Sequence, residues 1–176
     1  MTRAVLALGS NLGDQEANLR KALDGLAEHL VKVSGSYWTP PWGDPDQPEY
    51  LNAVVLVDGD EISADGWLEL AHELEEAGGR VRDPERQFGP RTLDVDVIAV
   101  WDGNEQIVQN NPDLTLPHAR AHLRAFVLVP LSEIAPDVVL AGHGSIAELL
   151  KTEAVSADVP TVRSGGSLEG PTLTDQ

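Results

Sequence analysis

Two groups of side chains lying close together in this sequence suit one kind of chemistry. Residues 80–96 read R-V-R-D-P-E-R-Q-F-G-P-R-T-L-D-V-D, so Arg80, Arg82, Arg86 and Arg91 crowd together just ahead of Asp94 and Asp96. The chain has 12 basic residues against 29 acidic ones and a formal net charge of −17, so a third of its positive charge sits in this one stretch. A cluster of the minority sign suits the holding of a compact, highly charged anion that the background field would otherwise repel. Leu93, Val95 and Val97 alternate with the two aspartates, which predicts a strand with both carboxylates on one face. Carboxylates placed side by side repel unless a proton or cation sits between them. Mg²⁺ takes one or two carboxylates and completes its shell with phosphate oxygens and water. The residues therefore point to a metal–polyphosphate site. The plain alternative is the polar face of an ordinary strand behind a solvated loop.

Those side chains need a core to position them, and 176 residues with 41% apolar content suffice for one domain. No apolar run approaches the roughly 20 residues of a membrane span, and Met1–Val5 leads straight into strand-like sequence without a signal-peptide layout. There are no cysteines, which excludes disulfides and thiolate metal sites. Strong acidity argues against duplex nucleic acid as a partner, because phosphate neutralisation dominates that affinity. A cytoplasmic protein is expected.

Residues 3–8 read as a first strand, and the G-S-N-L-G-D turn that follows offers Asp14 as an N-cap. Leu19, Leu23, Leu26 and Leu30 recur at helical spacing, predicting a helix over 15–30. The turn has a glycine-rich look, but it lacks both the dinucleotide fingerprint and the phosphate-loop lysine, so a tight strand-to-helix turn is the favoured reading. Residues 31–37 alternate as a half-exposed strand. Residues 38–48 carry four prolines and two tryptophans, which suits a lid or ligand wall as well as a packed corner. Residues 50–57 return to strand, where Asn52 needs a hydrogen-bond partner. Ser63 caps a helix over 64–77 with Trp67, Leu70, Ala71 and Leu74 as its buried stripe, and Gly78-Gly79 ends it. His72, Glu75 and Glu76 fall at the edge of that stripe and read as surface positions.

After the aspartate strand, residues 106–108 suggest a minor strand. His118, Arg120, His122 and Arg124 then gather cations again; a zinc site there lacks a matching third ligand. A short helix is expected over 145–150. Beyond Lys151, Ser, Thr, Gly, Pro and Asp dominate, so residues 151–176 read as a disordered tail and 1–150 as a single domain. The order β-α-β-β-α-β predicts an α+β, ferredoxin-like sandwich: an antiparallel sheet with helices on one face and the other face open for a ligand.

Several segments, in order, are similar to the 6-hydroxymethyl-7,8-dihydropterin pyrophosphokinase family. They are L-A-L-G-S-N-L-G-D (6–14), T-P-P-W-G (39–43), D-Q-P-E-Y-L-N-A-V (46–54), G-R-V-R (79–82), G-P-R-T-L-D-V-D-V-I (89–98) and L-P-H-A-R…R-A-F-V-L-V-P-L (116–131). The resemblance implies pyrophosphoryl transfer from ATP to a reduced pterin alcohol by a monomeric enzyme. It implies that Asp94 and Asp96 bind two Mg²⁺ ions, and that Arg80, Arg82, Arg91, His118 and Arg124 meet the phosphates. Tyr50 and Phe126 would stack on the pterin, while Thr39, Pro40, Asn52 and the backbone near Trp42 would line its polar edge. Glu75 would lie beside the site, and Val97 and Thr115 would offer main-chain groups to adenine. His72 and Gln87 depart from the family pattern.

Such a transfer needs charge neutralisation and in-line positioning more than covalent chemistry, and no general base stands out in the sequence. Two other classes compete: a nucleotidyltransferase on the same aspartate strand, and a non-catalytic ligand-sensing module.

Overall fold

A computed structural model describes residues 1–41, 43, 45–79 and 92–168. The central strand β1 (Thr2–Ser10) lies between β4 (Tyr50–Gly59) and β5 (Asp94–Asp102), antiparallel to both. On the β4 side, β2 (Leu30–Val33) and β3 (Ser36–Thr39) both pair with β4. They form one bent edge, interrupted where Ser34 accepts from the Val54 amide through Oγ and donates its own amide to the Val54 carbonyl, each at 2.9 Å. The strand expected over 31–37 is therefore two strands.

Alternation along the three long strands sends side chains to two separate cores. Leu6, Leu8, Val55, Val57, Val95 and Val97 meet α1 (Gln15–Gly25) and α2 (Ala64–Ala77) on one face. Asp14 caps α1 by accepting from the Ala17 amide at 3.1 Å, and Ser63 caps α2 by accepting from Gly66 at 3.1 Å. The first helix stops at Gly25 rather than at residue 30. The Leu26 amide turns back to the Ala22 and Leu23 carbonyls, and Leu30 already pairs with Val57 in the sheet.

The opposite face is not left open as expected. Val5, Ala7, Val54, Leu56, Ile98 and Ala99 pack against α3 (Ala125–Ile134) and, behind it, α4 (Ile146–Leu150). The α3 sequence A-F-V-L-V-P-L-S-E-I is apolar almost all round, since it is sandwiched between sheet and α4. It therefore lacks the amphipathic stripe by which α1 and α2 are recognised. Minor ribbons complete the fold: β6 (Glu105–Gln106) on β5, β7 (Gln109–Asn110) with β8 (Thr115–Leu116), whose Leu116 joins the α1/α2 core, and β9 (Val139–Leu140) with β10 (Gly144–Ser145), whose Leu140 joins the α3 core.

Residues 151–168 also depart from expectation. They form α5 (Glu153–Ser156), a 3₁₀ turn (Val159–Thr161) and β11 (Arg163–Gly166), which pairs with β3 as the outermost strand. Two apolar anchors hold a segment whose composition looks disordered: Val155 is fully buried and Leu168 nearly so. Among the described residues, no helix is long and apolar enough to cross a membrane.

Candidate active site

The register of the three long strands assembles one cleft on the α3 side of the sheet. Gly9 of β1 lies directly between Asn52 on β4 and Asp94 on β5, and Ala7 lies between Val54 and Asp96. Directly paired residues share a face, so the small residues of β1 form a low floor with the aspartates on one side and Asn52 on the other. A side chain at position 9 would crowd this arrangement, for a Cβ there would stand 3.0 Å from Asn52 Oδ1 and 3.3 Å from the Tyr50 ring. The resulting open cavity, about 590 Å³, is lined by Ala7, Leu8, Gly9, Thr39, Pro40, Tyr50, Asn52, Asp94, Asp96, Arg124 and Phe126. Eight of the expected site residues thus meet at one place.

Each wall has its own support. Asn52 Nδ2 donates to Thr39 Oγ1 at 2.6 Å, with both side chains buried, which fixes the polar edge of the cleft. Arg124 stands at the N-cap of α3 and is only 8% exposed. Its Nη1 lies 3.8 Å from Asp96 Oδ2, and its guanidinium carbon sits 5.4 Å from the centre of the Phe126 ring. Burial lowers the Arg124 pKa while Asp96 opposes the shift; a guanidinium keeps its charge regardless. This places one fixed positive charge beside the two carboxylates.

His118 is held by a β-bulge. The pairing of β1 with β5 slips between Val5 and Leu6, so Ile98 has no partner across the ladder, and its carbonyl accepts the His118 amide at 2.8 Å. The His118 pKa falls to about 4, chiefly through burial, then through Arg124 and Arg120, with Asp94 pulling the other way. The ring is therefore neutral near pH 7. Its Nδ1 accepts from the Arg120 amide at 3.1 Å, so the proton is on Nε2, which makes His118 a hydrogen-bond donor rather than a charge. His122 points elsewhere and stacks on His143, with ring centres 3.8 Å apart.

Other expected residues lie outside the cleft. Glu75 reads from sequence as a surface position, yet it is 4% exposed on α2 beneath the sheet, where Oε2 accepts the Val95 amide at 3.0 Å. It therefore grips the residue between the two aspartates from the opposite face. The Val97 side chain is buried in the α1/α2 core, and Thr115 bonds the Asn111 carbonyl at 3.2 Å. Trp42, Arg80, Arg82, Arg86 and Arg91 lie outside the described residues. Asn11 and Asn18 carry roles that the spacing did not single out. Asn11 Nδ2 donates to Gln47 Oε1 (2.8 Å) and to the Pro48 carbonyl (3.2 Å). Asn18 joins the β1–α1 turn to Thr92, just ahead of β5, at 3.2 Å. The turn that resembled a phosphate cradle thus acts as a bracket for the loops on both sides.

The donor set suits Mg²⁺: two neighbouring carboxylates at the rim of an open cleft leave most of a coordination shell to ligand oxygens and water. Among the described residues no group of three or more His, Asp or Glu forms an all-protein cage.

Fold and site together define an α/β protein whose antiparallel sheet presents a paired-carboxylate, arginine and aromatic cleft at the ends of its central strands. Residues 5–136 match the family model described as 7,8-dihydro-6-hydroxymethylpterin-pyrophosphokinase. The 2-amino-4-hydroxy-6-hydroxymethyldihydropteridine pyrophosphokinase of Methylorubrum extorquens is 49% identical over 147 residues, covering 81% of this chain and 89% of that protein. The protein of the same name from Mycobacterium leprae is 45% identical over 181 residues, covering 98% and 92%. A solved HPPK-DHPS chain of Plasmodium falciparum superposes with a TM-score of 0.65 at 13% identity. That likeness covers 93% of this chain but only 46% of the other, and it speaks to the fold alone. The chain belongs to the 7,8-dihydro-6-hydroxymethylpterin-pyrophosphokinase family.

Proposed function

We propose that the cleft transfers a pyrophosphoryl group from ATP to the hydroxymethyl group of 6-hydroxymethyl-7,8-dihydropterin, a step of folate biosynthesis that yields the pterin diphosphate and AMP. The observation that carries this reading is the meeting of Asp94, Asp96 and Arg124 with Tyr50, Asn52 and Phe126 around a floor made of Ala7 and Gly9. Tyr50 and Phe126 supply two faces for a flat heterocycle, and the Thr39–Asn52 pair supplies hydrogen bonds at its rim. Asp94 and Asp96 would hold Mg²⁺, two ions on this reading. The metal would supply charge neutralisation along the phosphates.

Arg124 lies where it can follow charge as it moves onto the leaving phosphate, and its burial keeps that charge effective. His118 would donate Nε2–H to a phosphate oxygen. Arg80, Arg82 and Arg91 are assigned to the phosphates from sequence likeness, Trp42 and Pro40 to the pterin side, and main-chain groups at Val97 and Thr115 to adenine. Glu75 acts through Val95 rather than by touching substrate. The pterin hydroxymethyl oxygen attacks the β-phosphorus and gives up its proton to solvent, as the bond from that phosphorus to the α,β-bridging oxygen breaks and AMP leaves. The work of the chain is to keep those atoms in line.

The β1-α1-β3-β4-α2-β5 order and the spatial order β3-β4-β1-β5 support a ferredoxin-like core. We read residues 1–150 as one catalytic domain with 151–168 packed onto it, acting as a cytoplasmic monomer. Incubation with Mg-ATP and the reduced pterin alcohol, with products resolved by anion-exchange chromatography, tests the assignment. AMP and a pterin diphosphate are expected. Release of pyrophosphate instead would mean nucleotidyl transfer, and no turnover of ATP would leave a ligand-sensing module.

A further inference from the structure

Residues 153–168 lie beyond the stretch that matches the family model, yet they are fastened to the elements that carry the pterin side of the cleft. β11 pairs with β3 so that Arg163 stands opposite Trp38, one residue before Thr39. The Arg163 side chain also forms an ion pair with Glu49, 114 positions away and one residue before Tyr50. Thr39 and Tyr50 are themselves direct partners across β3 and β4. Arg163 therefore grips both chains of the pair that frames the cleft.

The rest of the segment is tightly fitted. Ser36 Oγ donates to the Gly166 carbonyl at 3.0 Å, and a Cβ on Gly165 would stand 2.8 Å from Ser36 Oγ and 3.1 Å from both Trp38 Nε1 and Leu51 Cδ1. Arg20 donates to the Leu168 carbonyl at 3.1 Å. Ahead of these anchors the segment walls one side of a second, open cavity of about 440 Å³, where Asp158, Thr161 and Val162 face Thr39, Pro40 and Phe126. Pro40 and Phe126 are thus a partition, with the main cleft on one side and the C-terminal segment on the other.

We infer that the C-terminal segment is part of the pterin-binding apparatus, with Arg163 as a positioning residue that sets affinity for the pterin alcohol without touching it. This rests on the function proposed above. Exposed ion pairs contribute little to global stability, so a loss of the Arg163–Glu49 pair is read in substrate affinity rather than in unfolding.

The test is steady-state kinetics on R163E, E49R and the double variant R163E/E49R. Each single variant is expected to raise KM for the pterin alcohol about three- to tenfold, with kcat and KM for ATP within about twofold of wild type, and the double variant to restore pterin KM. A second variant, T161W, intrudes into the 440 Å³ cavity against Pro40 and Phe126 and is expected to raise pterin KM in the same selective way. An active wild type whose R163E and T161W variants keep the wild-type pterin KM overturns the inference alone. So does a variant whose pterin and ATP constants rise together, or a double variant that is no better than the singles. A wild type that releases no AMP overturns the functional reading instead.

Discussion

Removal of either aspartate takes away one of the two carboxylates that line the cleft among the described residues, while leaving the sheet's apolar pattern untouched. D94N and D96N are expected to lower the rate of AMP formation by about a hundredfold or more, with far-UV circular dichroism unchanged. A variant keeping half the wild-type rate would remove the metal role. His118 makes a second prediction, on stability. Its pKa is about 4 in the folded protein against 6.5 ordinarily, so between those values the unfolded chain binds a proton that the folded chain refuses. Stability should therefore rise with pH across that window, and be lost as pH falls from about 6.5 toward 4. Urea titrations of wild type and H118Q at pH 4.5 and 7 check the sign, with wild type losing more than the variant on acidification. Most residues in the cleft were legible singly. Asp94 and Asp96 announce themselves by alternation, and Asn52 by being polar within an apolar strand. Gly9 did not, because its importance lies in the cross-strand neighbours that the register gives it.

At the scale of elements, the ends of β5 depend on partners from both faces of the sheet. Glu75 on α2 accepts the Val95 amide from below, and the bulge at Ile98 offers a carbonyl to His118 further along. E75A leaves a buried amide without that acceptor and should cost about 1–3 kcal/mol of unfolding free energy. E75Q keeps an acceptor oxygen and should lose less than half as much in urea denaturation. Equal losses would show that Val95 is not the point of contact that matters. The capped helices α1 and α2 were readable, caps included, because Asp14 and Ser63 precede clean apolar stripes. α3 was not: a helix buried on nearly every side has no polar face, and Pro130 in its interior argues locally against helix. Its placement changes the picture of the site, since the N-terminal end of α3 brings Arg124 and Phe126 to a sheet face expected to stand open.

For the whole molecule, a formal charge of −17 means that compact folding gathers like charges. Added salt screens that repulsion, so the thermal midpoint should rise between about 10 and 300 mM NaCl, measured by circular dichroism. A midpoint that falls would assign more stability to specific ion pairs than to relief of repulsion. Composition alone made residues 151–168 look unstructured, for only Val155 and Leu168 of that stretch are buried hydrophobic residues. Two anchors spaced at either end of a short strand suffice once a neighbouring edge is available to pair with, and no local pattern announces such an edge. That pairing also governs how the protein behaves in a crowded solution. With β11 in place, the margins of the sheet among the described residues are short: the four-residue, solvent-exposed ribbon of Arg163-Ser164-Gly165-Gly166, the two-residue β6, and the four-residue β2, which pairs with β4 alone. Short, glycine-bearing, charged margins make poor templates for neighbouring copies. Chains lacking the last strand would bare the backbone of β3 along Ser36–Trp38 and turn cloudy at concentrations where the intact protein stays clear.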